Sequence, residues 1–334
     1  MSPGKRRGRI GILANPMAGR DVRRLAARAA EVTHQAKRDM VTRIAAGADA
    51  AGVEAIVVHD EPFRISTGAV EAMELDARIE IVRGDQPLVH GGADTLAAVR
   101  AMRERGVSVL VVLGGDGTNR MVAQAWPDAV LVPVSTGTNN VFPVMVEPTL
   151  AGAAAGLLAS GRVPVAAHAR RAKVIRVRPY AGDATLALID AVLLRHDHRG
   201  NLLPVDPDRI DRILLTVASP AAVGMSPIGG FMAPVSAADD GGLLVTCNRG
   251  ARDRRLQVPV SPGLYREVYV TEAHRVASAV TVLFEGPGVI ALDGDRDLKL
   301  DVRERARLHV ERSGPRVVDV TAVMQYASTE GLFG

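Results

Sequence analysis

The sequence predicts an α/β N-terminal domain with an open parallel sheet, followed by a mostly antiparallel β C-terminal domain. Strand-like and helical segments alternate through residue 145, which is typical of a parallel sheet with helices on both faces. From Ala172 onward, short apolar runs separated by Pro and Gly replace the helical pattern. The 334 residues, 47% of them hydrophobic, suffice for two domains. We expect an α/β domain at 1–147, a β-rich domain at 148–316, and a C-terminal segment at 317–334 that packs back on the first domain.

The elements of the first domain follow from hydrophobic periodicity. Apolar, β-branched runs predict strands, and amphipathic stretches between them predict helices. The predicted strands are Arg9–Leu13, Ala55–Val58, Ile79–Val82, Val107–Leu113 and Val130–Val134. Predicted helices run from about Val22 to Ile44, from Thr67 to Leu75 and from Leu96 to Arg105, and two more follow residues 118 and 148.

A glycine-rich turn after the fourth predicted strand is the centre of this domain. Gly114, Gly115 and Gly117 let the backbone turn sharply and approach a ligand closely. Thr118 or the residue after it can cap the next helix, so that free backbone N–H groups point at a bound phosphate. Bare phosphate would repel the carboxylate of Asp116. We therefore predict that this carboxylate binds a metal ion or takes a proton from a hydroxyl nucleophile.

A second polar loop follows the next strand. It contains hydroxyls, a glycine and two amides in succession, at Thr136, Gly137, Thr138, Asn139 and Asn140. Alone, either loop could be a structural turn. Ligands of parallel sheets bind at the carboxyl ends of the strands, where both loops lie. We therefore expect the two loops to form one phosphate-binding site.

The second half of the chain contains eight strand-like runs. They are Lys173–Arg178, Thr185–Leu194, Arg212–Ala218, Gly242–Cys247, Glu267–Val270, Ala279–Phe284, Val289–Leu292 and Leu308–Val310. A flat ligand could approach the small-residue loop Ser219–Gly230 closely. On the turn that follows Leu292, Asp293 or Asp295 could hold a divalent cation, or the turn could be a solvated corner. His196–His198 has metal-like spacing but no obvious third ligand nearby, so we interpret it as an exposed hairpin.

Composition excludes several classes of function. A formal charge of +4 and an aromatic content of 3% do not favour a nucleic-acid surface. No apolar run reaches the roughly 18 residues that span a bilayer, so we expect no stable membrane insertion. The short basic N-terminus lacks the apolar core of a signal peptide, which indicates a cytoplasmic protein. The chain has one cysteine, Cys247, so it cannot form an internal disulfide.

Three features together resemble the NAD kinase and diacylglycerol kinase superfamily. They are the Gly114–Thr118 motif after a buried strand, Asn15-Pro16 after the first strand, and Asp293-Gly294 in the β-rich half. The chain length and the Ser219–Gly230 segment are most similar to the acetoin catabolism protein X branch, which is ATP-NAD-kinase-like. The resemblance implies an NAD kinase-like fold in which Asp116 activates the ribose 2′-hydroxyl of NAD.

The same resemblance implies the partners of the site. The turn at Gly114–Thr118, together with Asn15, would hold the phosphates of ATP with Mg²⁺, and inorganic polyphosphate would suit the turn equally well as donor. Asp116 and Asp293 are the candidate metal ligands. Homo-oligomers are expected from the family alone.

The chain departs from the NAD kinase pattern where the acceptor should be recognised. NAD kinases carry an Asn-acid pair that binds the dinucleotide, whereas this chain has Ile189-Asp190. Their second signature is matched loosely by Ser219, Ser226 and Gly229, without its tyrosine. With Asp190, these are the candidate substrate-binding residues. Three hypotheses follow: a kinase for NAD or a related nucleotide, a lipid kinase of the same fold, and a non-catalytic dinucleotide-binding regulatory protein.

Overall fold

The computed structural model describes residues 7–19, 31–83, 92–137, 140–247 and 254–333. The first layer is a seven-stranded, mostly parallel sheet. Numbered along the whole chain, its strands are β1 (Arg9–Ala14), β2 (Ala55–His59), β3 (Arg78–Val82), β4 (Val109–Gly114), β5 (Val130–Ser135), β6 (Ala169–Arg171) and β18 (Arg316–Val318). Their spatial order is β3-β2-β1-β4-β5-β18-β6, and β6 runs antiparallel to β18. The predicted α/β class is confirmed for this half.

Helices cover both faces of the sheet. They are α1 (His34–Ala50), α2 (Ile65–Val70), α3 (Gly92–Glu104), α4 (Asp116–Ala125), α5 (Pro148–Ala159) and α8 (Val320–Thr329). Two short helices, α6 (Val165–His168) and α7 (Ser226–Gly230), lie in connections. None of the helices in the described ranges combines the length and hydropathy needed to cross a bilayer.

Helix α1 differs from the helix predicted at Val22–Ile44. Residues 20–30 lie outside the described residues; within them, α1 begins only after Thr33, whose hydroxyl accepts a hydrogen bond from the backbone N–H of Ala36. It continues to Ala50 because its small residues pack against α5. A Cβ on Gly47 would lie 2.1 Å from the carbonyl oxygen of Thr149, so the two helix backbones touch.

Helix α2 begins and ends earlier than the predicted Thr67–Leu75. The buried carboxylate of Glu61 accepts hydrogen bonds from the backbone N–H groups of Phe63, Ile65 and Ser66. This carboxylate therefore caps the helix start, in the way that an N-cap side chain does.

The second half forms two antiparallel sheets. The strands are β7 (Val174–Pro179), β8 (Thr185–Ala187), β9 (Asp190–Leu194), β10 (Ile210–Leu215), β11 (Gly242–Cys247), β12 (Arg255–Ser261), β13 (Leu264–Val276), β14 (Val282–Glu285), β15 (Gly288–Leu292), β16 (Asp295–Leu300) and β17 (Arg305–Glu311). One sheet has the order β12-β13-β11-β10-β9-β15-β16 and the other β14-β17-β7-β8. Apolar residues of both sheets, such as Val177, Leu193 and Ile290, share one core, so the sheets pack face to face.

Some strand predictions for this half were wrong. The run Thr185–Leu194 is two strands that belong to different sheets. Strand β16 was assigned to a turn, because its charged residues Asp295, Arg296 and Asp297 obscured the alternation of a strand. Strand β12 was not predicted at all.

The chain end joins the first layer. Strand β18 pairs in parallel with β5, and α8 packs against α5 with Val323 and Ala327 in the core beneath the sheet. Helix α5, which follows residue 147, belongs to the same core.

The strand order creates a crevice at the carboxyl edge of the parallel sheet. From β1 the chain proceeds outward to β2 and β3, then returns to the other side of β1 with β4 and β5. Connections therefore leave β1 and β4 in opposite directions, and a crevice opens between them, as at the ligand sites of doubly wound sheets.

Candidate active site

The glycine-rich turn joins β4 to α4 at this crevice. Gly115 occupies the N-cap position in an extended conformation, and Asp116 is the first helical residue. The expectation that Thr118 or Asn119 caps the helix was therefore wrong. A Cβ on Gly114 would lie 2.6 Å from the Cβ of Thr118, so the turn requires glycine there.

The carboxylate of Asp116 is fixed by the loop after β5. Its Oδ1 accepts hydrogen bonds from the backbone N–H groups of Phe142 (2.9 Å) and Val141 (3.2 Å). Desolvation and the nearby carboxylate of Asp293 raise the pKa of Asp116 to about 7, while the two backbone hydrogen bonds act in the opposite direction. A pKa near neutrality suits a group that accepts a proton from a hydroxyl.

Backbone N–H groups of the β-rich half hold Asp293, one of the two expected metal ligands. Its buried carboxylate accepts hydrogen bonds from the backbone N–H groups of Leu188 (2.8 Å), Ile189 (2.8 Å) and Asp190 (3.1 Å). Burial raises the pKa of Asp293, against the attraction of Arg120 and these hydrogen bonds. The bend between β8 and β9 therefore fixes the orientation of the Asp293 carboxylate, which also lines the cavity.

Arg120 crosses from α4 to the β15–β16 hairpin. Its guanidinium is buried and donates hydrogen bonds to Asp295 (2.9 Å) and Asp297 (2.8 Å), and its Nε lies 4.0 Å from Asp293. Asp293, Asp295 and Asp297, on the turn predicted as a metal site or a solvated corner, are therefore partly neutralised by an arginine. Sequence reasoning missed Arg120. The available signal was its position four residues after Asp116, on the same face of α4.

Asn15 connects the loop after β1 to the turn. Its side-chain amide donates to the hydroxyl of Thr118 (2.8 Å), and its Oδ1 accepts from the backbone N–H of Met17 (2.9 Å). The buried ammonium of Lys37 on α1 donates to the carbonyl oxygens of Asn15 (2.9 Å) and Pro16 (2.6 Å). Asn15 and Thr118, both predicted to bind phosphate, therefore lie at the same site. In this structure their side chains are hydrogen-bonded to each other.

The polar loop after β5 faces the same crevice. Asn140 donates to the hydroxyl of Ser135 (2.8 Å), which donates in turn to the carbonyl oxygen of Gly137 (2.6 Å). Thr136 and Asn140 line the cavity. The expected contacts of Thr138 and Asn139 lie outside the described residues.

The four candidate substrate-binding residues are not equivalent. Asp190 lines the cavity. Ser226 is buried and instead closes its own loop, since its hydroxyl accepts from the backbone N–H of Ser219 (2.9 Å) and donates to the carbonyl oxygen of Val217 (2.8 Å). Gly229 packs on the β sheet, where a Cβ would lie 2.5 Å from Leu215. From this loop, residues 223–225 line the cavity in place of Ser219, Ser226 and Gly229.

These elements enclose a cavity of about 770 Å³ between the parallel sheet and the β-rich half. Its described lining carries seven carboxylates and a single guanidinium, that of Arg120. The apolar part of the lining includes Leu202, Val205, Met225 and Val260. Within the described ranges, no group of three or more His, Cys, Asp or Glu side chains is arranged to hold a metal ion, and His196–His198 forms no such group. Asp197, between these two histidines, is buried and forms an ion pair with Arg296, in which Oδ2 lies 2.7 Å from Nε.

Comparison with known proteins agrees with this architecture. Residues 10–163 match the ATP-NAD kinase N-terminal domain, and residues 173–313 match the acetoin catabolism protein X C-terminal domain. Acetoin catabolism protein X of Cupriavidus necator is 32% identical over 343 residues, which cover 97% of this chain and 93% of that protein. Yeast NADH kinase, in its crystal structure complexed with NADH, has a similar fold, with a TM-score of 0.55, 15% identity and coverage of 97% of this chain and 87% of that one. The chain therefore belongs to the acetoin catabolism protein X family, within the NAD kinase-like superfamily.

Proposed function

We propose that this protein is a phosphotransferase that moves a phosphoryl group from ATP or polyphosphate to an alcohol, with the 2′-hydroxyl of NAD or of a related nucleotide as acceptor. One observation carries the proposal. The carboxylate of Asp116 borders the cavity at the start of α4, with a pKa of about 7. A carboxylate of that basicity, beside a glycine-rich helix start that can bind phosphate, supports transfer to a hydroxyl.

The residues divide the chemistry between them. The backbone N–H groups of Val141 and Phe142 hold the carboxylate of Asp116 in one orientation, so that it can take the proton of the attacking hydroxyl. The start of α4 presents unpaired backbone N–H groups and a positive dipole end to the phosphates of the donor.

The described residues fit a divalent cation that is held mostly by the substrate. Mg²⁺ commonly binds through one or two carboxylates together with substrate phosphates and water. Asp116 and Asp293 both line the cavity and are the carboxylates that would hold the cation. When bound, the cation would neutralise charge on the transferred phosphoryl group.

The nucleotide acceptor is supported by likeness alone. Yeast NADH kinase was solved with NADH, and its fold resembles this chain. Ile189, which stands where NAD kinases carry asparagine, is buried against Ala123 and Leu186 and does not line the cavity. That observation favours a second candidate, a dinucleotide-binding regulatory protein without turnover. The family also suggests a homo-oligomer, which analytical ultracentrifugation would test.

Turnover separates these candidates. The purified protein is incubated with Mg²⁺, NAD or NADH, and either ATP or polyphosphate, and an NADP-specific dehydrogenase reports the product. The Asp116→Asn variant should lose about 10²–10⁴-fold in rate. Asp128→Asn is the matched control, since Asp128 is exposed beyond the other end of α4 and the chemical change is the same. Tight NAD binding without NADP formation would refute the kinase and support the regulatory protein. Phosphorylation of diacylglycerol but not of NAD would support the lipid kinase.

A further inference from the structure

One polar side chain on the cavity wall has no role in the proposed transfer. His59 is the last residue of β2, is 5% exposed and lines the cavity. Its Nε2 is buried and has no hydrogen-bond partner in the described part of the chain. A buried polar atom without a partner is destabilising, so native proteins rarely leave one unless a ligand or solvent forms the missing hydrogen bond.

The position of His59 in the strand directs it toward the start of α3. Side chains alternate along β2, and Val57, two residues earlier, packs in the core beneath α3. Asp94 and Thr95, in the first turn of α3, line the same part of the cavity. His59 thus lies beside a helix start that already carries a carboxylate.

The surroundings of His59 make it a poor phosphate ligand. Burial lowers the pKa of His59, and the carboxylates of Asp60 and Asp94 offset this effect only in part. The ring is therefore uncharged at neutral pH, with one nitrogen as donor and the other as acceptor. An uncharged imidazole among carboxylates suits hydroxyl or amino groups of a ligand, whereas a phosphate would be repelled.

Sheet geometry sets the distance between His59 and the phosphate turn. Strand β1 separates β2 from β4. Neighbouring strands lie about 4.8 Å apart, so the ends of β2 and β4 are about 10 Å apart. That separation matches the length of a nucleotide, from its phosphates to the hydrogen-bonding groups of its ribose and base.

We propose that His59 forms a second subsite, which recognises the ribose or base of a nucleotide whose phosphates occupy the turn at Gly114–Thr118. The inference rests on the proposed function for the phosphate end. It adds the residue that distinguishes a nucleotide from a bare polyphosphate.

Calorimetric titration with two probes tests the subsite. ADP and inorganic tripolyphosphate, each with Mg²⁺, are titrated into the wild type and the His59→Phe and His59→Gln variants. His274→Gln is the control, because His274 lies exposed on β13. We expect His59→Phe to weaken ADP binding by about 10–100-fold and to leave tripolyphosphate binding unchanged. His59→Gln, which keeps a donor and an acceptor, should lose less.

Equal losses for both probes would show a structural role for His59 and overturn the proposal, as would no loss for ADP. If the variants fail to fold, NMR of the wild-type histidine rings decides: ADP, but not tripolyphosphate, must shift the signal of a buried ring. Binding is measured apart from turnover. A wild type that binds ADP through His59 without forming NADP would therefore refute the phosphotransferase and leave the subsite standing.

Discussion

The ionisation of Asp116 should make the stability of the folded protein depend on pH. The folded state holds the proton of Asp116 up to a pH of about 7, whereas an aspartic acid in the unfolded chain releases it near pH 4. The folded state therefore binds more protons between these values. The contribution of Asp116 to the free energy of unfolding is therefore fully present below about pH 4 and is lost as the pH rises toward 7. The Asp116→Asn variant lacks this dependence.

The size of the effect follows from the shift. Each pKa unit corresponds to about 1.4 kcal/mol, so a shift of about three units sets an upper limit of about 4 kcal/mol. Measurements between pH 5 and 8 cover only about two of these three units, because the range starts above the pKa of the unfolded chain. Water at the cavity edge also screens part of the repulsion between Asp116 and Asp293. We expect the wild type to lose about 2 kcal/mol relative to Asp116→Asn over this range.

Urea unfolding of both proteins at pH 5, 6, 7 and 8 measures the difference. Asp128→Asn is again the control. Its hydrogen bond and ion pair with Arg171 lower the pKa of Asp128, so this carboxylate stays ionised throughout and its difference from the wild type should be constant. A constant difference for Asp116→Asn as well would mean that Asp116 is ionised across the range, and the assignment of a neutral-pH base would be wrong.

Three further substitutions test the residues around the site. Arg120→Met should destabilise the protein by about 3–5 kcal/mol at pH 7, because the buried Asp293 loses its counter-charge. Burial raises the pKa of Asp293, so in urea unfolding this loss should shrink as the pH falls and Asp293 takes a proton, and a pH-independent loss would contradict this reasoning. Ser226→Ala should cost about 1–3 kcal/mol and leave the specific activity within a few-fold of wild type, since Ser226 bonds only its own loop; a large loss of activity in the folded variant would restore it as a substrate ligand. Gly114→Ala should cost about 1–3 kcal/mol by crowding Thr118, with Gly52→Ala, at a left-handed position open to solvent, as a comparison in which only backbone strain acts; similar thermal shifts for the two would show that crowding is unimportant.

The parts of the site that local sequence determines were predictable. A buried strand, a glycine-rich turn and a helix in succession place Asp116 at the carboxyl edge of the sheet, whatever the rest of the chain does. The loop containing Thr136 and Asn140 follows the neighbouring strand, so topology alone brings it to the same edge.

Roles that depend on long-range pairing could not be predicted. The position of Asp293 in a Gly-containing turn predicts a metal ligand. The backbone N–H groups that bind its carboxylate lie more than 100 residues earlier, and they reach it only because β15 pairs with β9. The sequence predicts that the hydroxyl of Ser226 binds substrate, whereas in the structure this hydroxyl donates to the carbonyl oxygen of Val217. In both cases the side chain accepts hydrogen bonds from backbone groups that are distant in sequence or reached only when a loop closes, and local sequence does not show such partners.

The basicity of Asp116 depends on contact between the two halves of the molecule. Asp116 begins helix α4 of the α/β half, while Asp293, whose charge helps to raise the pKa of Asp116, belongs to the β-rich half. Arg120 comes from the first half and attracts the three carboxylates of the second, so it holds the halves together where the charges meet. If the halves separated, water and distance would weaken the repulsion from Asp293, and the pKa of Asp116 would fall toward its ordinary value. The raised pKa of Asp116 therefore depends on the arrangement in which the two halves are in contact.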